Sequence, residues 1–241
     1  MNSIWTIAKK ELRSYFNSPL AYIFIDVFLV LSAWLFFQNY FVSNQADMRG
    51  FFSLIPWFFL FLVPAITMRV WAEEKKLGTV EILLTMPVKD EYIVLGKFLA
   101  SVLFLSLTLL LSFMVPVIVL WSGPADFGVI ITSYIGAILL GSAYIAMGIW
   151  VSACTDNQII AFILSILASF LFFIIGEVFV LQNIPHFLNF LTPVLQFFGL
   201  GAHFNSIARG VLDSRDLLFY LSFIGFFLFL NVRQITTRRF Q

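Results

Sequence analysis

Cysteine occurs once and histidine twice in the 241 residues, and charge is scarce too: 14 basic and 13 acidic side chains make up 11% of the chain, for a net +1. A single Cys excludes a disulfide framework and a Cys-rich metal or cluster site. His186 and His203 have no accompanying Cys and no carboxylate cluster beside them, so two satisfied imidazoles are expected rather than a metal centre. The near-zero net charge offers no field for nucleic acid or for an acidic substrate. Charged residues fall well short of the roughly 25% that a soluble domain carries, so the polar coat of such a domain cannot be assembled. Phosphate-binding chemistry is missing as well. Gly96-Lys97 is the nearest approach to a phosphate loop, but Glu91 stands where its first Gly is needed and Phe98 where Ser or Thr is needed. No Ser/His/Asp or Cys/His grouping stands out, and no cofactor is expected in this chain.

What is abundant is apolar surface: 61% of residues are hydrophobic and 31 are Phe. A helix needs about 20 mostly apolar residues to cross a bilayer, and six stretches qualify, at about 21–42, 52–70, 98–121, 127–152, 159–181 and 217–232. Runs such as Leu103 to Leu111 do not alternate, which excludes a membrane β-barrel. The expected fold class is therefore an all-α integral membrane protein forming one domain over 1–241. Cytoplasmic flanks are enriched in Lys and Arg. With the N-terminus inside, eleven basic residues fall on inner segments and only Arg49, Arg209 and Arg215 on outer ones. Both termini are then expected in the cytoplasm, with Cys154 in a short inner turn where it stays reduced. The N-terminal apolar run is too long for a cleaved signal peptide, and no cleavage site follows it. Residues 1–18 instead predict an interfacial amphipathic helix ended by Pro19, with Ile4, Trp5, Ala8, Leu12, Tyr15 and Phe16 opposite Thr6, Lys9, Lys10, Arg13 and Asn17. A passive anchor and a mechanical part are both open readings of it.

Two non-spanning segments stand out. Residues 71–97 hold nine of the 27 charges. There Gly78 breaks the helix leaving the second span, Thr79 is placed to cap a short new helix with Glu81 in its first turn, and Pro87 ends it. Val80, Leu83 and Leu84 would form its apolar side. Residues 182–216 are apolar for a loop, and Pro185, Pro193, Gly199 and Gly201 cut them into pieces too short to span. Two short re-entrant helices, at about 185–192 and 201–209, are expected there, followed by Asp213 and Asp216 as a capping pair for the last span. Asp26 and Glu177 are the carboxylates inside expected spans. Each either reaches an interface or lines a polar path or subunit contact. Ser133, Ala137, Gly141, Gly148 and Ser152 form a small-residue face that serves either internal packing or dimerisation.

In its order of parts the chain resembles the ABC-2 class of ABC transporter permeases. The most specific match is EEKKLGTVEILLTMP, Glu73 to Pro87, which is similar to that family's coupling-helix motif. WVSACTDNQIIAF, Trp150 to Phe162, resembles its turn between spans four and five. HFNSIARGVLDSRD, His203 to Asp216, resembles its outer segment, and in particular that of the gliding-motility-associated group. The resemblance implies the permease half of an ATP-driven exporter in a bacterial cytoplasmic membrane, paired with a second permease chain, alike or different. ABC ATPase subunits would hold the ATP and Mg, and Glu73, Glu74, Gly78, Thr79 and Glu81 would be the contact and hinge positions toward them. It also implies a path lined by spans one, two and five, and in the gliding-associated group an auxiliary membrane protein with a large outer domain. Phe- and Leu-rich surfaces suit a lipid or lipid-linked glycan, and suit lipid contact equally. Two competing readings remain: an ion-coupled secondary transporter using Asp26 and Glu177, and a non-transporting scaffold for an ATPase.

Overall fold

The computed structural model describes residues 2–43, 47–85, 87–183 and 190–239, and they form helices and connections without a strand among them. In chain order the helices are α1 (Asn2–Phe16), α2 (Pro19–Ser43), α3 (Arg49–Thr67), α4 (Arg69–Lys76), α5 (Thr79–Thr85), α6 (Asp90–Leu111), α7 (Met114–Ser122), α8 (Phe127–Cys154), α9 (Gln158–Ile174), α10 (Val178–Gln182), α11 (Thr192–Phe198), α12 (Leu200–Ile207) and α13 (Ser214–Arg239). Local chemistry explains most boundaries. Pro19 opens α2, where a missing N–H costs nothing. Asp126 accepts from the Gly128 and Val129 amides at the start of α8, and Asn157 accepts from the Ile159 amide at the start of α9. Asp213 accepts from the Arg215 amide at the start of α13.

Five helical stretches are long and apolar enough to cross a membrane: Pro19–Tyr40, Arg49–Lys76, Asp90–Ser122, Phe127–Cys154 and Ser214–Thr237. The chain is a multi-pass membrane protein. The stretch expected to span 159–181 is different: α9 stops at Ile174, and its 17 residues reach only about 25 Å at 1.5 Å per residue. The break follows from packing, not from hydropathy. Gly176 lies against the backbone of Gly199, where an added Cβ would stand 2.6 Å from the Gly199 Cα, so the chain turns there before α10 begins. The 98–121 stretch also differs. Its helix begins at Asp90, with Asp90 and Glu91 in a first turn that favours negative charge. It breaks at Ser112, whose hydroxyl bonds the Leu109 carbonyl and lies 3.0 Å from the Tyr134 hydroxyl.

α8 is the centre of the bundle, packed by α3, α4, α6, α9, α12 and α13. Its small residues make this possible. Ser133 and Ala137 are fully buried, a side chain at Gly141 would collide with Leu105, and one at Gly148 would collide with Thr67. The small-residue face thus serves packing inside the chain. Gly148→Ala is expected to cost about 1–3 kcal/mol of stability by overpacking without changing oligomeric state. Thermal unfolding and size-exclusion chromatography of the variant check this, and an altered assembly with unaltered unfolding would refute it.

The helices run between two ends. One, the α5 end, carries α1, α4, α5 and the starts of α6 and α9. At this end Thr236 near the close of α13 donates to Asp90 at the opening of α6. The other end carries α10, α11 and α12, where Ser133 of α8 donates to the Ala208 carbonyl. The helix expected at about 185–192, with Ile184, Pro185, His186, Phe187 and Leu188, falls almost wholly outside the described residues. The helices that are described here sit at Thr192–Phe198 and Leu200–Ile207.

The N-terminal helix lies along α6, with Ala8 fully buried and Ile7 over Gly96, where an added Cβ would stand 2.7 Å from the Ile7 Cγ2. Part of its apolar side is therefore taken up by protein. Trp5, assigned to that side from the sequence, is 59% exposed because the strip touching α6 is narrower than the apolar face.

Candidate coupling site

The charge-rich segment begins where α3 gives way to α4 at Met68. Thr67 turns its hydroxyl back to the Val63 and Pro64 carbonyls. The Trp71 and Ala72 amides, which would continue the helical ladder, both donate to the Ser152 hydroxyl of α8 at 3.1 Å, and that hydroxyl donates to the Met68 carbonyl at 3.0 Å. A side chain inserted into the ladder is a recognised cause of a helix break.

Beyond the break α4 is fastened twice. Lys75, with its side chain almost fully buried, donates to the Ala153 and Thr155 carbonyls at the end of α8 and pairs with Asp156 at 3.5 Å. A cation there meets the negative end of the α8 dipole. Glu74 faces the other way, its Oε1 2.7 Å from the Lys97 ammonium of α6. Lys97 is 1% exposed and also holds Glu11 of α1 at 3.0 Å and the Val70 carbonyl at 3.2 Å, with the Trp71 ring centroid 4.8 Å away. Nearby, Arg69 makes a two-pronged pair with Glu73 and donates to Ser18, while the Tyr15 hydroxyl meets Ser101 of α6 at 2.9 Å. Burial pushes the Tyr15 phenol well above the usual tyrosine range, so it remains a neutral hydrogen-bonding group. Glu11, Ser14, Tyr15, Ser18, Arg69 and Glu73 line an open groove beside this cluster.

α4 ends in a left-handed turn at Gly78, φ +68°, a conformation that glycine adopts without a Cβ penalty. The Thr79 hydroxyl donates back to the Glu74 carbonyl at 3.2 Å, closing the end of α4 instead of capping α5. Thr79 is nevertheless the first residue of α5, with Glu81 in the first turn as expected. Val80 is buried and Leu83 packs on the core, while Lys76, Leu77, Thr79 and Glu81 are exposed; the Leu84 side chain lies outside what is described.

The sequence-derived positions therefore divide. Glu74 is held inward by Lys97, Glu73 pairs with Arg69 at the edge of the groove, Gly78 and Thr79 form the turn, and Glu81 faces outward. Asp26 is exposed on α2 among Tyr22, Ile23 and Val27, with no hydrogen bond or ion pair among the described residues. Glu177 lies past the end of α9, where its Oε1 accepts from Asn205 of α12 at 3.1 Å in the space left by Gly201. Glu11 was not singled out in the sequence, and Lys97, Lys75 and Ser152 entered it only as a lysine beside Gly96, a member of a charge run and a small residue, without these partners. Lys97 carried the one available signal, a lysine beside an apolar run, where burial demands partners.

At the opposite end, His203 meets the Asp216 carboxylate through Nδ1 at 2.7 Å and the Phe197 carbonyl through Nε2 at 2.9 Å, and stacks on Phe219 with 4.0 Å between centroids. Asp216 is thus not the second member of a cap. Asp213 caps α13 alone, because the pairing with His203 turns Asp216 toward α12.

No curated protein matches this sequence significantly. A sequence model described as ABC-2 family transporter protein matches residues 14–232, from the last turn of α1 to the last turns of α13. That match takes in the break at Met68, the turn at Gly78, and Lys75, Lys97 and Ser152, though not Glu11, and the chain accordingly belongs to the ABC-2 family of transporter membrane proteins.

Proposed function

We propose that the chain is the permease subunit of an ATP-driven exporter, and that Lys76–Thr85 is where a separate ABC ATPase pushes on it. The observation that carries this reading is the contrast between the two faces of α4–α5. Glu81, Thr79 and Leu77 are exposed around a left-handed turn, while Lys75, Glu74 and the Trp71 amide are fixed to α8, α6 and α1. A chain of this family receives work mechanically from its ATPase, and a short helix rooted in the ends of several spans suits that transfer. Glu73 and Glu74 act here from within, holding the helix, and Glu81 with Thr79 supplies the outward contact.

In this reading α9 completes a sixth crossing together with the α10–α12 segment, both termini lie in the cytoplasm of a bacterial cell, and the inner membrane is the site of action. The bias of basic residues supports this orientation. ATP and Mg²⁺ are held by the ATPase, and no cofactor is held by this chain. A second permease chain packs along α2 and α9, which carry Asp26, Ile159, Ile163 and Leu167 on their exposed faces. An unpaired carboxylate in such a position is costly against lipid and cheaper at a polar path or subunit contact. The substrate has an apolar part, as a lipid or lipid-linked glycan does. Resemblance of His203–Asp216 to the gliding-motility-associated group adds an auxiliary membrane protein with a large outer domain as a further partner.

Glu81→Lys is expected to lower recovery of the ATPase with the purified chain by about tenfold, the effect of roughly 1.4 kcal/mol at a charged contact. It should leave thermal unfolding of the chain itself unchanged. Full recovery of the ATPase together with undiminished transport would overturn the assignment.

A further inference from the structure

The Lys97 ammonium has three N–H groups, and three oxygens take them: Glu74 Oε1 at 2.7 Å, Glu11 Oε1 at 3.0 Å and the Val70 carbonyl at 3.2 Å. Those partners come from α1 and α4, while Lys97 itself belongs to α6. Solvent is kept from the ammonium but reaches the outer side of the carboxylates: Lys97 is 1% exposed, and the Glu11 and Glu74 side chains are 17% and 23% exposed. No arm of this arrangement can be released without leaving a charged group short of a partner in a poorly solvated place. The elements it joins have their main packing elsewhere, and besides this cluster Arg69 of α4 donates to Ser18 just past α1. α1 packs on α6 and on the start of α2, whereas α4 packs on α8 and hangs from α3 at the Ser152-bridged break.

We infer that Lys97 is a positioning residue for transport. It makes α1 and the first turns of α6 move with α4 when the ATPase acts on α5. The inference rests on the reading of α5 as the ATPase contact and adds a second route for the motion. One route runs from α4 across the Met68 break into α3. The other runs through Glu74, Lys97 and Glu11 into the N-terminal helix, which is then a moving part rather than a passive anchor. The second route fastens α4 directly to α6 and α1: a three-armed ion cluster closed around a buried ammonium resists separation in every direction its partners occupy.

The test uses the complex of the full-length chain with its co-purified ATPase, in a Cys154→Ser background. A spin label is placed on α1 at Lys10→Cys or, separately, on α4 at Lys76→Cys, both exposed positions. Mg·ATP is added and the change in label mobility recorded. With Lys97 intact, both labels respond. In the neutral triple variant Lys97→Met/Glu74→Gln/Glu11→Gln, where no buried charge is stranded, the Lys76 label still responds and the Lys10 label does not. Glu74→Leu, which cuts the charged arm to α4 and leaves Lys97 paired with Glu11, gives the same split and serves where the triple variant folds poorly. Persistence of the full Lys10 response in either variant overturns the inference while leaving α5 as the contact. Absence of any response at Lys76 with Lys97 intact overturns the α5 reading, and this inference with it.

Discussion

Lys97→Met, made alone, is expected to lower the unfolding free energy by about 3–5 kcal/mol, the usual cost of removing one partner from a buried ion cluster. The loss is large because it is not confined to one bond. Glu74 Oε1 and Glu11 Oε1 lose their cation, the Val70 carbonyl loses its donor, and Glu74 Oε2 is already buried without a partner. Neutralising the two carboxylates in the same protein should recover most of that stability, since no charge is then left uncompensated. Unfolding in detergent, followed by loss of helical signal, reads both variants. If the single variant is as stable as the unaltered chain, the cluster described here does not hold α1, α4 and α6 together.

Ser152→Ala is the second large effect. The hydroxyl serves three backbone groups at once, the amides of Trp71 and Ala72 and the carbonyl of Met68. Each buried group left unpaired costs about 1–3 kcal/mol. Part of this is recoverable only if α3 and α4 fuse into one continuous helix, and that movement draws Lys75 away from the end of α8 and Glu74 away from Lys97. Ser152→Ala should therefore lower the unfolding temperature and also reduce ATPase recovery or coupling, although Ser152 is buried and touches no partner. Unchanged unfolding temperature and coupling would mean that the break at Met68 is held by something other than this hydroxyl.

Several elements were legible in the sequence because their causes are local. Gly78 reads as a helix stop and takes a left-handed φ; Glu81 falls in the first turn of a helix opened at Thr79; Pro19 opens α2; Asp213 caps α13. Each depends on residues within a few positions, so turn and capping chemistry suffices to place it. Membrane character was equally legible, because 27 charges cannot coat a chain of this size. The family resemblance rested on the same local pattern around Gly78.

What failed to be legible depends on residues distant in the chain. Nothing in the run Phe173–Leu181 announces a break; Gly199, far along the sequence, makes one by lying against Gly176. Thr79 heads α5 as expected, but its hydroxyl donates back to the Glu74 carbonyl of α4. Asp216 looked like half of a cap until His203 was brought beside it. That the Glu74 carboxylate meets a lysine 23 positions on, on another helix, was not legible in the motif around it.

Composition and local patterning thus determined by themselves that this chain lives in a membrane, where several helices begin, and that a short turn-linked helix stands between the second and third apolar stretches. Those properties follow from the transfer cost of each side chain and the conformational preference of each residue, which need no neighbours. Only the tertiary structure decided which of the few charges face outward. In a bundle this poor in water a charge settles where a counter-charge from another helix can reach it, and no reading of one segment at a time finds that place.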